Sequence, residues 1–125
     1  MFRTYVLIGA GGALGAMARY GVVLAVGSGV GGSSVVPWGT LLVNVAGSLA
    51  IGFIVGSLSD TAALNSIARP FLIVGFLGAF TTFSAFSMET LTLLQSGRLG
   101  IAALYTSVSV VACVVAAWLG LRLGQ

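Results

Sequence analysis

The stretch Gly75–Ser87, GFLGAFTTFSAFS, decides how the rest of this chain is read. It places two glycines and four hydroxyl side chains (Thr81, Thr82, Ser84 and Ser87) among phenylalanines. The surrounding segment, about Pro70 to Leu94, is mainly apolar, with Glu89 its only charge. A helix crossing a hydrocarbon core roughly 30 Å thick needs about 20 mainly apolar residues, and this segment has that length. Glycine followed by hydroxyl residues in mid-span predicts a break in the helix. Irregular backbone at membrane depth is tolerated only inside protein or along a cavity, and carbonyls freed there commonly coordinate a cation. Phe83 and Phe86, at i and i+3, share one helical face. Phenyl ring edges are positive, so the pair is suited either to an anion or, on the plainer reading, to filling apolar space.

The composition agrees with a membrane setting. Of 125 residues, 58% are hydrophobic and 6% charged, with five arginines, two acids, no lysine and no histidine. Soluble domains carry about 25% charged residues, and the mean hydropathy here is +1.17. A soluble enzyme, a nucleic-acid-binding domain and a disordered chain are thereby excluded. The net charge of +3 comes from scattered arginines, which make no basic patch for a phosphate backbone. A lone cysteine, Cys113, leaves no internal disulfide and no cysteine-built metal site. The expectation is an all-α membrane protein with one domain over residues 1–125 and spans at about 4–26, 38–58, 70–94 and 99–121. Helices are expected because backbone polar groups in lipid must be bonded within the segment. The connections are a glycine- and serine-rich loop, 27–37, a loop with Asp60, 59–69, and a tight turn, 95–98, where Gly97 suits a helix C-cap. The first span is preceded by Arg3 as in a signal peptide, but apolar segments continue after it, so it is expected to be retained.

Four spans put both termini on one side, with Arg3, Arg69 and Arg122; Arg98 and a snorkelling Arg19 fall on the other. Arginine and lysine bias normally fixes topology, and here it nearly cancels. Either a weakly biased single topology or insertion in both orientations follows.

Polar residues within spans usually face the bundle interior or a water-filled path. Thr40, Asn44, Gly47 and Ser48 share one face of the second span. Asn44 offers two N–H donors and a carbonyl acceptor, either for helix-to-helix bonding or for a pore. Tyr105, Ser109 and Cys113 form a stripe on the fourth span, beside Thr106. Small pairs such as Gly11/Gly15, Gly52/Gly56 and Gly75/Gly78 predict close helix packing and an oligomer. Arg19 lies about 22 Å from Thr4, and Glu89 about 28 Å from Pro70, at 1.5 Å per residue. Each is thus near a membrane surface, in an anchoring or a pore-mouth role.

With these residues in place, the chain resembles the Fluc (CrcB) family of fluoride channels over essentially its full length. The blocks carrying the likeness are GGALGAMARY (Gly11–Tyr20), GTLLVNVAGSLAIGF (Gly39–Phe53), GFLGAFTTFSAFS (Gly75–Ser87) and the Ser/Thr-bearing last span. The GTLxVN and GxxTTFSxF patterns are specific; the first block alone would be weak. The resemblance implies an antiparallel dual-topology homodimer in the cell (inner) membrane, in contact with lipid, that exports toxic cytoplasmic fluoride passively through two pores. Asn44, Phe83 and Phe86 match the family's pore residues, and Thr82, Ser84, Tyr105 and Ser109 its polar track. Gly78 and Thr81 match broken-helix positions whose carbonyls hold a structural sodium ion (Na+) on the dimer axis. Cys113 departs from the serine that members often carry there, and a thiol is the weaker donor. A small four-span multidrug transporter would need an acid deep in the first span, which is absent. A non-conducting scaffold would leave the third-span clustering without a purpose.

Overall fold

The computed structural model describes residues 1–27, 34–58 and 66–125, so Asp60 and most of both longer loops lie outside the described residues. Four segments are long and apolar enough to cross a membrane: Phe2–Val26, Trp38–Ser57, Ser66–Gln95 and Leu99–Gly124. The first, second and fourth are the continuous helices α1 (Phe2–Val26), α2 (Trp38–Ser57) and α6 (Leu99–Gly124).

The third segment changes winding along its length. It opens with α3, Arg69–Leu77, wound in the wider π form; past its end the Gly78 N–H reaches the Ile73 carbonyl as well as that of Gly75. Pro70, which lacks an N–H, sits at the start of α3, where the winding passes to the wider π form. The short α4, Gly78–Phe80, follows. Thr81 (φ −81°, ψ 156°) and Thr82 (φ −150°, ψ 114°) are extended. Helix α5, Phe83–Gln95, then begins with Thr82 as its N-cap, the threonine side chain accepting from Ala85 N–H at 3.2 Å. That bond satisfies one of the orphan donors of the first turn. Helical winding starts at Ser66, a turn ahead of the expected Pro70, since residues before the proline keep their own donors.

The helices are held by backbone proximity. The most extensive pairings are α2 with α6 and α1 with α3. A Cβ on Gly52 would collide with the Ala117 carbonyl, and one on Gly120 with the Leu49 carbonyl. Gly11 and Gly15 lie in the same way against the carbonyls of Phe71 and Phe76, and a Cβ on Gly75 would stand 2.7 Å from the Ile8 oxygen. Where the hydrophobic effect does not draw helices together, such approach supplies the dispersion contact that does. On α1 the buried residues are Gly11 and Gly15, while Tyr5, Met17 and Tyr20 are exposed, as suits a lipid-facing helix. Between α5 and α6 lies an apolar cluster of Phe86, Leu93, Ala102 and Tyr105. The two helices are joined by a Schellman turn. Gly97 takes φ 72°, and the N–H groups of Gly97 and Arg98 bond the carbonyls of Leu94 and Leu93, each at 3.0 Å.

Candidate functional site

The face of α2 that carries Thr40, Asn44 and Gly47 meets the third segment residue by residue. Asn44 takes hold of the Thr82 peptide with both ends of its amide. Its Nδ2 donates to the Thr82 carbonyl at 3.0 Å, and the Thr82 N–H donates to its Oδ1 at 2.7 Å. Gly47 lies directly against the Thr81 methyl, leaving no room for a Cβ. Thr40 donates to Glu89 Oε1 at 2.7 Å, and Tyr105 OH donates to Glu89 Oε2 at 2.8 Å. The carboxylate thereby joins α2, α5 and α6. Sequence spacing placed Thr40, Glu89 and Tyr105 on separate spans without linking them; a lone acid on a hydroxyl-rich span was the available signal.

The extended pair redirects hydrogen bonds. In a continuous helix the Thr82 N–H would bond the Gly78 carbonyl and the Ala85 N–H the Thr81 carbonyl. Here the first goes to Asn44 Oδ1 and the second to Thr82 Oγ1. Thr81 instead turns back, its N–H and its Oγ1 both donating to the Leu77 carbonyl, at 3.0 and 2.8 Å. The C-terminal end of α4 and the N-terminal end of α5 therefore lie side by side, with partial negative and partial positive charge respectively.

Beside this pair lies a cavity of about 330 Å3. Its walls bring together Asn44, Gly78, Thr81, Thr82, Phe83, Phe86, Ser109 and Cys113. Phe86 is buried, with its ring centroid 5.5 Å from both Phe83 and Tyr105. Phe83, by contrast, is 78% exposed. Ser109 is buried. Ser84 and Tyr105 are not in the wall. Ser84 Oγ lies 3.3 Å from Thr82 Oγ1, and Tyr105 sits behind Phe86. Arg19 stands apart on α1, half-buried. Gly47, Ser48, Ile51, Ile73, Leu77 and Val110 complete the wall; the isoleucines, Leu77 and Val110 were not distinguishable from ordinary apolar residues in the sequence.

Four membrane-length helices, with a cavity between the second, third and fourth spans, define a multi-pass membrane protein. The family model described as CrcB-like protein, Camphor Resistance (CrcB), matches residues 6–121, and the chain belongs to this family. Among similar proteins, one from Thermus thermophilus is 48% identical, over 96% of this chain and 94% of its own length. One from Magnetococcus marinus is 46% identical, over 92% of each. Another from Hydrogenovibrio crunogenus is 48% identical, over 96% of this chain and 89% of its own. Each of the three is named a fluoride-specific ion channel; none of these names describes an enzyme.

Proposed function

We propose that the protein is a fluoride channel, in which two chains in antiparallel orientation form a homodimer with two pores and carry fluoride passively down its gradient. The observation that carries this reading is the cavity wall, where amide, hydroxyl and aromatic-edge donors converge with no charged side chain among them. Fluoride is small and holds water tightly. Neutral donors can replace that water yet release the ion, as conduction requires. The hydroxyls at the start of α5 supply donors, and the N-terminal end of α5 favours negative charge.

A second chain is supported by what one chain leaves uncovered. Gly78 and Phe83, both in the cavity wall, are exposed in a single chain. In lipid, irregular backbone beside a cavity needs protein cover. An antiparallel copy across a two-fold axis would bring two extended pairs face to face. The Gly78 and Thr81 carbonyls, whose usual donors are engaged elsewhere, would then offer four oxygens to one sodium ion. Carbonyl oxygens suit a hard cation, and its charge would offset repulsion between anions in neighbouring pores.

Purified protein in liposomes, loaded with fluoride and read with a fluoride electrode, tests the function. Fluoride efflux above protein-free vesicles, with chloride retained, is expected. Proton-coupled movement of a cationic drug, or no flux at all, would replace this reading with a transporter or a scaffold. A high-resolution map showing only protein or water hydrogen bonds at the Gly78 and Thr81 carbonyls would remove the sodium site.

A further inference from the structure

Gly47 differs from other crowded glycines of this fold in what it meets. A Cβ on Gly11, Gly15, Gly52 or Gly120 would run into a backbone carbonyl, which no change of side chain moves aside. A Cβ on Gly47 would run into a side-chain atom, the Thr81 Cγ2 methyl. The next atoms, Phe80 Cδ1 at 3.4 Å and Thr81 Cβ at 3.7 Å, stand at ordinary contact distance. The bare Cα of Gly47 is therefore a socket for one methyl, on the same face of α2 as Asn44. Thr81 is pinned by methyl, hydroxyl and backbone together. Its N–H and Oγ1 both donate to the Leu77 carbonyl, at 3.0 and 2.8 Å, while its methyl fills the socket. The peptide that follows is held through the Thr82 N–H, which donates to Asn44 Oδ1 at 2.7 Å. In a trans peptide the N–H and C=O point in opposite directions, so the Thr81 carbonyl is aimed away from Asn44. A β-branched side chain has few χ1 wells. Thr81 cannot change well without giving up its hydroxyl bond to Leu77 or its seat on Gly47.

We propose that Gly47 is a positioning residue for the ion path. Its missing side chain seats the Thr81 methyl, fixes the Thr81 rotamer and, with the Asn44 clamp, keeps the extended pair in the shape that conducts. Gly47 acts through Thr81 and brings no donor of its own side chain. The bearing on conduction rests on the fluoride reading above; the seating of Thr81 does not.

The test is a cycle of full-chain variants: wild type, Gly47→Ala, Thr81→Ser, Gly47→Ala/Thr81→Ser and Gly47→Ala/Thr81→Val. Serine lacks the Cγ2 methyl and keeps the hydroxyl; valine keeps a methyl there and lacks the hydroxyl. Exchange of the Thr82 amide hydrogen, followed by NMR in detergent, reports the clamp at Asn44, and fluoride efflux from liposomes reports the path. With Thr81 in place, Gly47→Ala should speed that exchange and lower efflux by about tenfold or more, within the usual cost of overpacking. On the Thr81→Ser background the same substitution should change either by less than about twofold, because one methyl takes the place of another. Thr81→Val should bring no relief; relief equal to that of serine would overturn the role of the methyl. Gly120→Ala, which crowds the Leu49 carbonyl instead, should gain nothing from Thr81→Ser; a gain there would mean general loosening and overturn the assignment. So would a Gly47→Ala effect of equal size on both backgrounds. If Gly47→Ala does not assemble, recovery of assembled protein in Gly47→Ala/Thr81→Ser shows the same relief, and failure to recover it overturns the seating. Thr82 protection restored without efflux, compared with Thr81→Ser alone, would overturn the bearing on conduction. Absence of efflux from the wild type would overturn the fluoride reading and that bearing with it, while Thr82 exchange would still decide the seating.

Discussion

Asn44 imitates a neighbouring peptide for Thr82, giving it one donor and one acceptor at 3.0 and 2.7 Å. A buried peptide left unpaired costs about 1–3 kcal/mol, so the extended backbone at Thr82 depends on this side chain. Asn44 thus holds the wall in shape. The two phenylalanines differ in a way that separates packing from ion contact: Phe86 is 8% exposed and Phe83 78% exposed. Phe83→Ile should leave the stability of a single subunit unchanged, whereas Phe86→Ile should cost it about 1–3 kcal/mol, less than the roughly 3–5 kcal/mol of a buried Phe→Ala. If ring edges contact fluoride, efflux should fall steeply in both variants while the assembled protein still purifies normally. Near-wild-type efflux from a properly assembled Phe83→Ile/Phe86→Ile double variant would show that the rings only fill space.

At the scale of elements, the glycines divide into two populations with opposite expected responses. A methyl on Gly120 would meet the Leu49 carbonyl on α2, and neither backbone can yield without parting α2 from α6. Gly9 and Gly21 on α1 have nothing within 4 Å of such a methyl. Gly120→Ala should therefore destabilise the fold by about 1–3 kcal/mol, the usual cost of overpacking. Gly9→Ala and Gly21→Ala should be neutral or stabilising by up to about 1 kcal/mol through helix propensity. Unfolding of the three variants in detergent, followed by circular dichroism, checks the ordering. Equal effects at all three positions would mean that α2 and α6 are not in close backbone contact. The same packing explains why the tight turn at Ser96–Arg98 matters: with Gly97 at positive φ, α5 and α6 fold back at once, and Phe86 reaches Tyr105.

For the whole molecule, the charge balance and the uncovered cavity point the same way. If four spans place Arg3, Arg69 and Arg122 on one side and Arg19 and Arg98 on the other, their near-balance leaves little directional bias on insertion. A functional antiparallel dimer needs both orientations from one sequence. Adding a few lysines to one terminus should fix a single topology and abolish fluoride efflux. Co-expression with a copy biased the opposite way should restore it. Full efflux from a chain locked in one orientation would exclude the antiparallel arrangement. Glu89 is held from α2 by Thr40 and from α6 by Tyr105, so its carboxylate ties three helices together.

The amino-acid sequence by itself determined the membrane setting and the number of spans, because hydropathy sums over about 20 neighbouring residues and needs no partner. It also determined the turn at Gly97, where a residue free to take positive φ acts on the local backbone. Asn44, Phe83, Phe86, Thr82 and Ser109 could be singled out as polar or aromatic exceptions on apolar helices, and family resemblance attached roles to them. What only the tertiary structure decided is who meets whom. Asn44 reaches Thr82 across 38 positions of sequence, and Thr40 reaches Glu89 across 49. Helical periodicity tells which residues share a face, yet it says nothing of which face another helix will present. That choice was made by carbonyls resting on glycines, where α2 meets α6 and α1 meets α3. The exposure of Phe83 beside the burial of Phe86 has the same origin, since one turn of α5 faces Tyr105 and its neighbour faces outward.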